Sequence, residues 1–389
     1  MKRLLVVEPG WFTLRYGLYG QMCFLSSRGF SIAIASEGDP RAESVALEIG
    51  ASFYSIDIRR GPSLRNDIAA FRALTAIIRD YRPTVIQCST KKAGFLCGLI
   101  GKVSAVPDVY LVRGLMRGGA SSRMSKSFNV IERLNAMLAT KVVVISRSSF
   151  DYFTDNHICP TDKLIIFGSG SIQGVDVERF KRTGVSEAAG RALRKVLMIP
   201  DDAFVVGFVG RLVVEKGIRE LTAAWKSIRA TNNHLHLLIV APPEIGPGAE
   251  ASIESLRRDS TVHFSGFLPD PAPAYAAMDC VVLPSYSEGF GSVLIEAASF
   301  GIPAIATRVP GCIDAVVDGK TGWLVEPHDD NGLGAAIMQA FDHPDSTRNL
   351  GRNARERAEM EFRQEMIWTG YADMYTELSH RDCTESVHR

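Results

Sequence analysis

The feature that most constrains this chain is a recurrence. Short Val- and Ile-rich runs alternate with segments whose apolar residues return every three or four positions. The first series reads "RLLVV", "SIAIAS", "SFYSI", "TVIQCS", "DVYLV", "KVVVIS" and "KLIIF", with pieces such as "SLRNDIAAFRALTAIIRDY" between. A continuous apolar run is a strand buried on both faces, and a helix between two such strands makes them parallel. The series restarts with "AFVVGFVG", "HLHLLIV", "TVHF", "DCVVLPS", "PAIAT" and "TGWLV". The pattern therefore predicts an α/β protein of two doubly wound domains. Residues 1–167 form the first, the Gly/Ser-rich and basic stretch 168–200 a linker, and residues 201–360 the second. Residues 361–389 form a C-terminal helix whose aromatic residues suit packing back on the first domain.

At 389 residues the chain outgrows a single core. A net charge of +1 with 22% charged residues excludes a nucleic-acid binder and an acidic disordered tail. The seven cysteines are scattered without paired spacing, which fits a reducing, cytoplasmic location. "MKRLLVVEPG" reads as a first strand and not as a signal peptide, and no uncharged apolar stretch is long enough to span a bilayer. Membrane contact, on this reading, is peripheral on the cytoplasmic face.

Ligands of open parallel sheets sit beyond the carboxyl ends of strands, so motifs just after strands carry the chemistry. In "FVGRLVVEKGIREL" a strand ends at Gly210, Arg211 follows it, and Lys216 opens a helix. Two cations beside a helix N-terminus suit a diphosphate; the alternative is a pair of ordinary surface cations. In "SEGFGSVLIEA" Glu288 lies in the loop before a helix and Glu296 lies inside that helix among Leu294, Ile295, Ala297 and Ala298. Glu288 can accept hydrogen bonds from sugar hydroxyls, Glu296 can hold a vicinal diol such as a ribose, and Gly289–Ser292 offer backbone donors. The alternative is an acidic helix start followed by a solvated glutamate, against which stands the cost of an unpaired charge in an apolar setting.

"GRLVVEKG", "PSYSEGFGSVLIEAASFGIPAIAT" and "DGKTGWLVEP" together closely resemble the donor half of the family 4 glycosyltransferases. These are retaining enzymes of the GT-B fold, two Rossmann-like domains facing across a cleft. "STKKAGFLCGLIGKVSAVPDVYLVRGL" and "GSGSIQGVDVERF" resemble the subgroup that builds bacterial surface polysaccharides and lipid-linked oligosaccharides. The resemblance implies a catalytic set of Arg211, Lys216 and Glu288. It gives the nucleotide Gly210, Arg211, Lys216, Gly266, Phe267, Val293, Leu294 and Glu296, and the donor sugar Glu288, Gly289, Phe290, Gly291 and Ser292. It implies a UDP-sugar donor, no required cofactor or metal, and a glycan or polyprenyl-diphosphate-linked acceptor.

In the first half the resemblance points to Gly10, Trp11, Arg15, Tyr16, Lys92 and Arg113 as residues lining the cleft and meeting acceptor. Arg113 stands where many relatives carry histidine, so it takes only a cleft-lining role. The basic residues Arg59, Arg60, Arg65, Lys91, Lys92, Arg113, Arg117, Arg123 and Lys126, with the mixed stretch "GLMRGGASSRMSKSF", suit an anionic membrane surface or a lipid diphosphate; a solvated face is the alternative. "GSGSIQG" has the wrong spacing for a dinucleotide site and is read as a junction loop with Gly170 near the donor. His234 and His236 lack a third ligand nearby for a metal. The rival readings are a phosphorylase or nucleotide-sugar epimerase of the same fold, and a non-catalytic sugar-binding protein.

Overall fold

The computed structural model describes residues 2–59, 61, 63–114, 123–229 and 232–385, with backbone alone at 123–127 and 381–385. The chain divides into two units, Met1–Gln173 with Glu365–Arg389, and Gly174–Gln364. Arg60, Arg117 and the side chains of Arg123 and Lys126, with most of the mixed stretch read as membrane-facing, lie outside the described residues.

Among the described residues the first unit holds a sheet of β1 (Lys2–Val7), β2 (Phe30–Ser36), β3 (Ser52–Ser55), β4 (Val85–Ser89), β5 (Asp108–Val112), β6 (Lys141–Val144) and β7 (Leu164–Ile165). Every pairing is parallel, in the order β3-β2-β1-β4-β5-β6-β7. The winding reverses between β1 and β4: Leu4 pairs with Ile32 on one side and with Val85 on the other. Leu4 to Val7 are at most 1% exposed, which is what a strand covered on both faces requires. The helix Leu64–Tyr81 buries Ala70, Leu74, Ile77, Ile78 and Tyr81 on one stripe. It stops at Arg82, left-handed at φ 52, because the following Pro83 disfavours helical backbone there.

The second unit repeats the design with β8 (Phe204–Val209), β9 (Leu235–Val240), β10 (Val262–Gly266), β11 (Cys280–Leu283), β12 (Ala304–Thr307) and β13 (Gly322–Val325), in the order β10-β9-β8-β11-β12-β13. Its switch point lies between β8 and β11. Trp225 is fully buried in this core, and among the described residues its ring N–H meets no hydrogen-bond acceptor.

The stretch 168–200 is not a linker. The units part at Gln173, and 174–200 belongs to the second. Its helix Gly184–Val196 begins at a reciprocal cap between Thr183 and Ser186. Gly190 packs so closely on Ala276 that a Cβ would come within 2.8 Å of its backbone carbon. Arg194 pairs with Asp279 at 3.0 Å and donates to the Ala277 carbonyl. The basic, polar composition that suggests a linker is the solvated face of an amphipathic helix. The second unit also runs past 360 to Gln364, where Val175 and Gln364 share a backbone hydrogen bond.

Residues from Glu365 onward belong to the first unit, and the helix Gln364–Glu385 buries Trp368, Tyr371, Tyr375 and Leu378. Gly20 has no room for a Cβ against the Trp368 ring, 2.8 Å away. Tyr375 donates its hydroxyl to Gln87 Oε1, a buried acceptor on β4. Tyr375→Phe is expected to cost about 1–2 kcal/mol by orphaning that acceptor, and Tyr375→Ala about 3–5 kcal/mol by adding a cavity. Urea unfolding followed by near-ultraviolet circular dichroism measures both, and equal costs would contradict the assignment.

Candidate functional site

Two loops meet at the switch point of the second sheet. The loop after β8 runs through Arg211, which is exposed, and a single 3₁₀ turn Val214–Lys216 into the helix Ile218–Arg229. The loop after β11 runs from Pro284 to Gly291 and into the helix Ser292–Ser299. They are locked together by backbone: Tyr286 N–H donates to the Glu215 carbonyl at 2.9 Å. Gly217 is left-handed at φ 71, and a Cβ there would sit 2.0 Å from the Pro284 carbonyl oxygen. Only glycine satisfies both demands.

This locking brings Lys216 onto Glu288. Their Nζ and Oε1 form an ion pair whose side chains are 21% and 10% exposed. Ser285 Oγ donates to the same Glu288 oxygen at 2.7 Å, and Thr307 holds Ser285 by donating to its carbonyl. Gly311, at φ 82, passes so close that a Cβ would meet the Glu288 carbonyl oxygen at 2.9 Å. Ser285 and Thr307 lie at the two ends of the stretch "PSYSEGFGSVLIEAASFGIPAIAT", but only tertiary structure ties them and Gly311 to Glu288.

Glu296 lies half-buried inside the helix Ser292–Ser299. Tyr275 donates its hydroxyl to Glu296 Oε2 at 2.7 Å. Desolvation pushes the Glu296 carboxyl up to about 7, against the Tyr275 hydrogen bond and the attraction of Arg179, which both favour the charged form. Phe267, 41% exposed, follows Gly266, whose backbone turns at φ 75 beyond β10. Phe290 and Leu294 are placed differently from a lining role: Phe290 packs on Phe362 with ring centroids 5.5 Å apart, and Leu294 is 1% exposed in the core. Gly289, Ser292 and Val293 are only partly buried.

The first unit separates its own candidates. Gly10 N–H donates to Glu8 Oε1 at 3.3 Å, and Arg113 Nη2 lies 3.3 Å from Glu8 Oε2, so Gly10 and Arg113 converge on a carboxylate that sequence reasoning missed. Burial lowers the Arg113 pKa from its ordinary value, while Glu8 pulls it back up. Trp11, Arg15 and Tyr16 lie apart, on a segment that is π-helical over Leu14–Leu18. Trp11 stacks under Arg41 at 4.1 Å, and Arg15 pairs with Glu48 at 2.5 Å. Lys92 is occupied by Asp67 at 2.6 Å and by the Gly61 carbonyl, a tie between helices. Gly170 bridges to Ser146. His234 faces Asp202 at 3.4 Å, whereas His236 stacks on His263 with ring nitrogens 2.9 Å apart. Among the described residues no group of three or more His, Cys, Asp or Glu is arranged to hold a metal ion, and no helix is long and apolar enough to cross a membrane.

Residues 191–357 match the model of the group 1 glycosyl transferases, and residues 19–170 that of a glycosyl transferase 4-like domain. The capsular polysaccharide biosynthesis glycosyltransferase CapM of Staphylococcus aureus is 28% identical over 362 residues, 92% of this chain and 92% of that one. A D-inositol 3-phosphate glycosyltransferase of Corynebacterium glutamicum is 34% identical over 363 residues, 86% of this chain and 84% of its own. Among solved structures, HepE of Anabaena in complex with UDP-glucose superposes with a TM-score of 0.79 at 20% identity, over 97% of this chain and 100% of that one. That likeness shows the fold, a pair of parallel α/β domains of the GT-B type.

The loop lock is directly testable. Gly217→Ala is expected to cost roughly 2–4 kcal/mol, through the left-handed backbone and the Pro284 clash together. Thermal melting measures it, and a cost near zero would show that the two loops are not joined as described.

Proposed function

The chain belongs to the group 1 glycosyl transferases, and we propose that it is a family 4 hexosyltransferase that uses a UDP-sugar and retains the anomeric configuration. On this reading a hexose or N-acetylhexosamine passes to a hydroxyl of a lipid-linked or other glycan acceptor in cell-surface polysaccharide synthesis. The observation that carries it is the Lys216–Glu288 pair at the switch point, with Glu296 in the helix that follows. The name of CapM supports the pathway, and the HepE complex with UDP-glucose supports the donor.

The chemistry follows from the geometry. Without donor, Lys216 and Glu288 neutralise each other. A bound diphosphate draws Lys216 toward its oxygens, where Arg211 joins it, and the two cations stabilise the charge that grows on the leaving group. Glu288, released from Lys216 and still held by Ser285, accepts hydrogen bonds from the sugar hydroxyls. Glu296 accepts from the ribose diol, and Phe267 offers a ring face to the base. The acceptor hydroxyl attacks from the face the diphosphate leaves, and a phosphate oxygen takes its proton.

A carboxyl raised to about 7 destabilises the empty protein as pH rises. The sign follows from linkage: its folded pKa lies above the unfolded value near 4.3, so the stability it contributes below that value is lost as pH rises through about 7. Glu296→Gln is therefore expected to stabilise the empty protein at pH 8 by about 1–2 kcal/mol, with little change at pH 4, while weakening UDP roughly 10-fold. Thermal melting with and without UDP measures both. Lys216→Ala should also weaken UDP, by roughly 10- to 100-fold. If GDP or ADP stabilises and UDP does not, the donor assignment fails. If no nucleotide stabilises, the donor site itself fails.

Peripheral membrane binding is supported by exposed apolar side chains on two neighbouring helices of the first unit. Phe95, Leu99 and Val103 are exposed on the helix Lys91–Ser104, and Val130, Ile131, Leu134 and Met137 on the helix Arg123–Leu138 packed beside it. Val130→Glu with Met137→Glu is expected to abolish co-sedimentation with vesicles rich in phosphatidylglycerol at unchanged melting temperature. Retained sedimentation would overturn this docking face.

A further inference from the structure

The loop that carries Glu288 is anchored by a side chain to which the donor chemistry gives no part. Tyr286 lies two residues before Glu288, and its N–H donates to the carbonyl of Glu215, the residue before Lys216. Its hydroxyl lies 2.8 and 2.7 Å from the two oxygens of Glu220, on the helix Ile218–Arg229. Burial first, and then the bond to Glu220, push the Tyr286 phenol above its ordinary value, so it stays a donor. His328, between β13 and the helix Asp330–Asp342, completes the group. Its ring centroid lies 4.0 Å from that of Tyr286, and its Nδ1 lies 3.5 Å from Glu220 Oε1. All of these residues belong to the second unit.

Two features set this group apart from ordinary loop packing. His328 is held at φ 65, in the left-handed region where glycine is free of strain. Such a conformation persists only where the surroundings over-determine it. The loop it covers also has little stiffness of its own, because Gly289 and Gly291 follow Glu288 closely. The place of Glu288 therefore depends on its anchors: Ser285 holds a carboxylate oxygen at 2.7 Å, and Tyr286 holds the backbone two residues away.

We propose that Tyr286 is a positioning residue of the donor site. Clamped between Glu220 and His328, it sets where Glu288 stands relative to Lys216, and through that how the sugar of the donor is held. Lys216 closes the 3₁₀ turn that leads into the helix carrying Glu220, so the clamp ties the sugar-reading carboxylate to the helix that the cation precedes. Loosening it misplaces Glu288 and leaves Lys216 on its own turn, so recognition of the sugar suffers and that of the nucleotide does not. The inference rests on the donor reading given above.

Isothermal titration of the full chain with UDP, UDP-glucose and UDP-N-acetylglucosamine tests it, with thermal melting to confirm folding of each variant. Tyr286→Phe is expected to weaken the tighter-bound sugar nucleotide by roughly 10-fold, about the worth of one hydrogen bond, and UDP by less than about 2-fold. A purely structural role does not predict that split, since damage to the fold affects both ligands alike. Glu220→Ala should show the same split, and Glu220→Gln, which keeps an acceptor for the hydroxyl, should recover part of the loss. His328→Gly is expected to melt close to wild type, because relief of the left-handed backbone offsets the lost ring contact, yet to weaken the same sugar nucleotide. Wild-type affinities in folded Tyr286→Phe, or equal losses for UDP and the sugar nucleotide, overturn the proposal. If Lys216→Ala still weakens UDP in that case, the donor reading stands by itself. If wild type binds neither sugar nucleotide, the donor reading fails and this inference fails with it.

Discussion

Lys216 and Glu288 are 72 residues apart in the chain and form one ion pair because β8 and β11 are neighbours across the reversal of the second sheet. The proposed donor site depends on that adjacency. The loops after the two strands are forced together by backbone, through Gly217 on the Pro284 carbonyl and Tyr286 on the Glu215 carbonyl, before any side chain is considered. Ser285 and Thr307 then fix the carboxylate from behind. A pair this poorly hydrated gains little net stability, because desolvating both charges offsets most of their attraction. Its value is positional: each charge is held ready for a partner that brings the opposite sign.

Glu296 shows the same tension in another form. A carboxyl pressed into an apolar helix and answered by one Tyr275 hydroxyl destabilises the empty fold at neutral pH, and a ligand that donates two hydroxyls would relieve it. Arg113 is the counterpart in the first unit: among the described residues its buried Nε and Nη2 have no hydrogen-bond acceptor. Local penalties of this kind recur where a fold is completed by a ligand. Both lie beyond the carboxyl ends of strands, at or beside the switch point of their sheet, where helix and loop starts converge.

The strands were legible in the residues because a parallel sheet buries both faces and leaves nearly unbroken runs of Val, Ile and Leu. Even the two-residue β7 lies within "KLIIF". The helix Gly184–Val196 was not, because its solvated face outweighs its buried one in composition, and only Gly190 on Ala276 and Arg194 on Asp279 reveal what it packs against. The positions of Lys216, Glu288 and Glu296 after β8 and β11 followed from strand ends and glycines. Leu294 and Phe290 shared that motif but turned inward, since a helix start has a core face as well as an open one. Glu8 escaped notice because one acid after a strand looks like any loop residue. Its meaning comes from Ser89 and Arg113, brought beside it by strands distant in sequence.

The most direct measurement is a crystal structure of the protein with UDP-glucose. Lys216 Nζ on a diphosphate oxygen, Glu288 on a sugar hydroxyl and Glu296 on the ribose are the expected result, with the Lys216–Glu288 contact lengthened or broken. A nucleotide bound away from the β8 and β11 loops, with that ion pair intact, would contradict it.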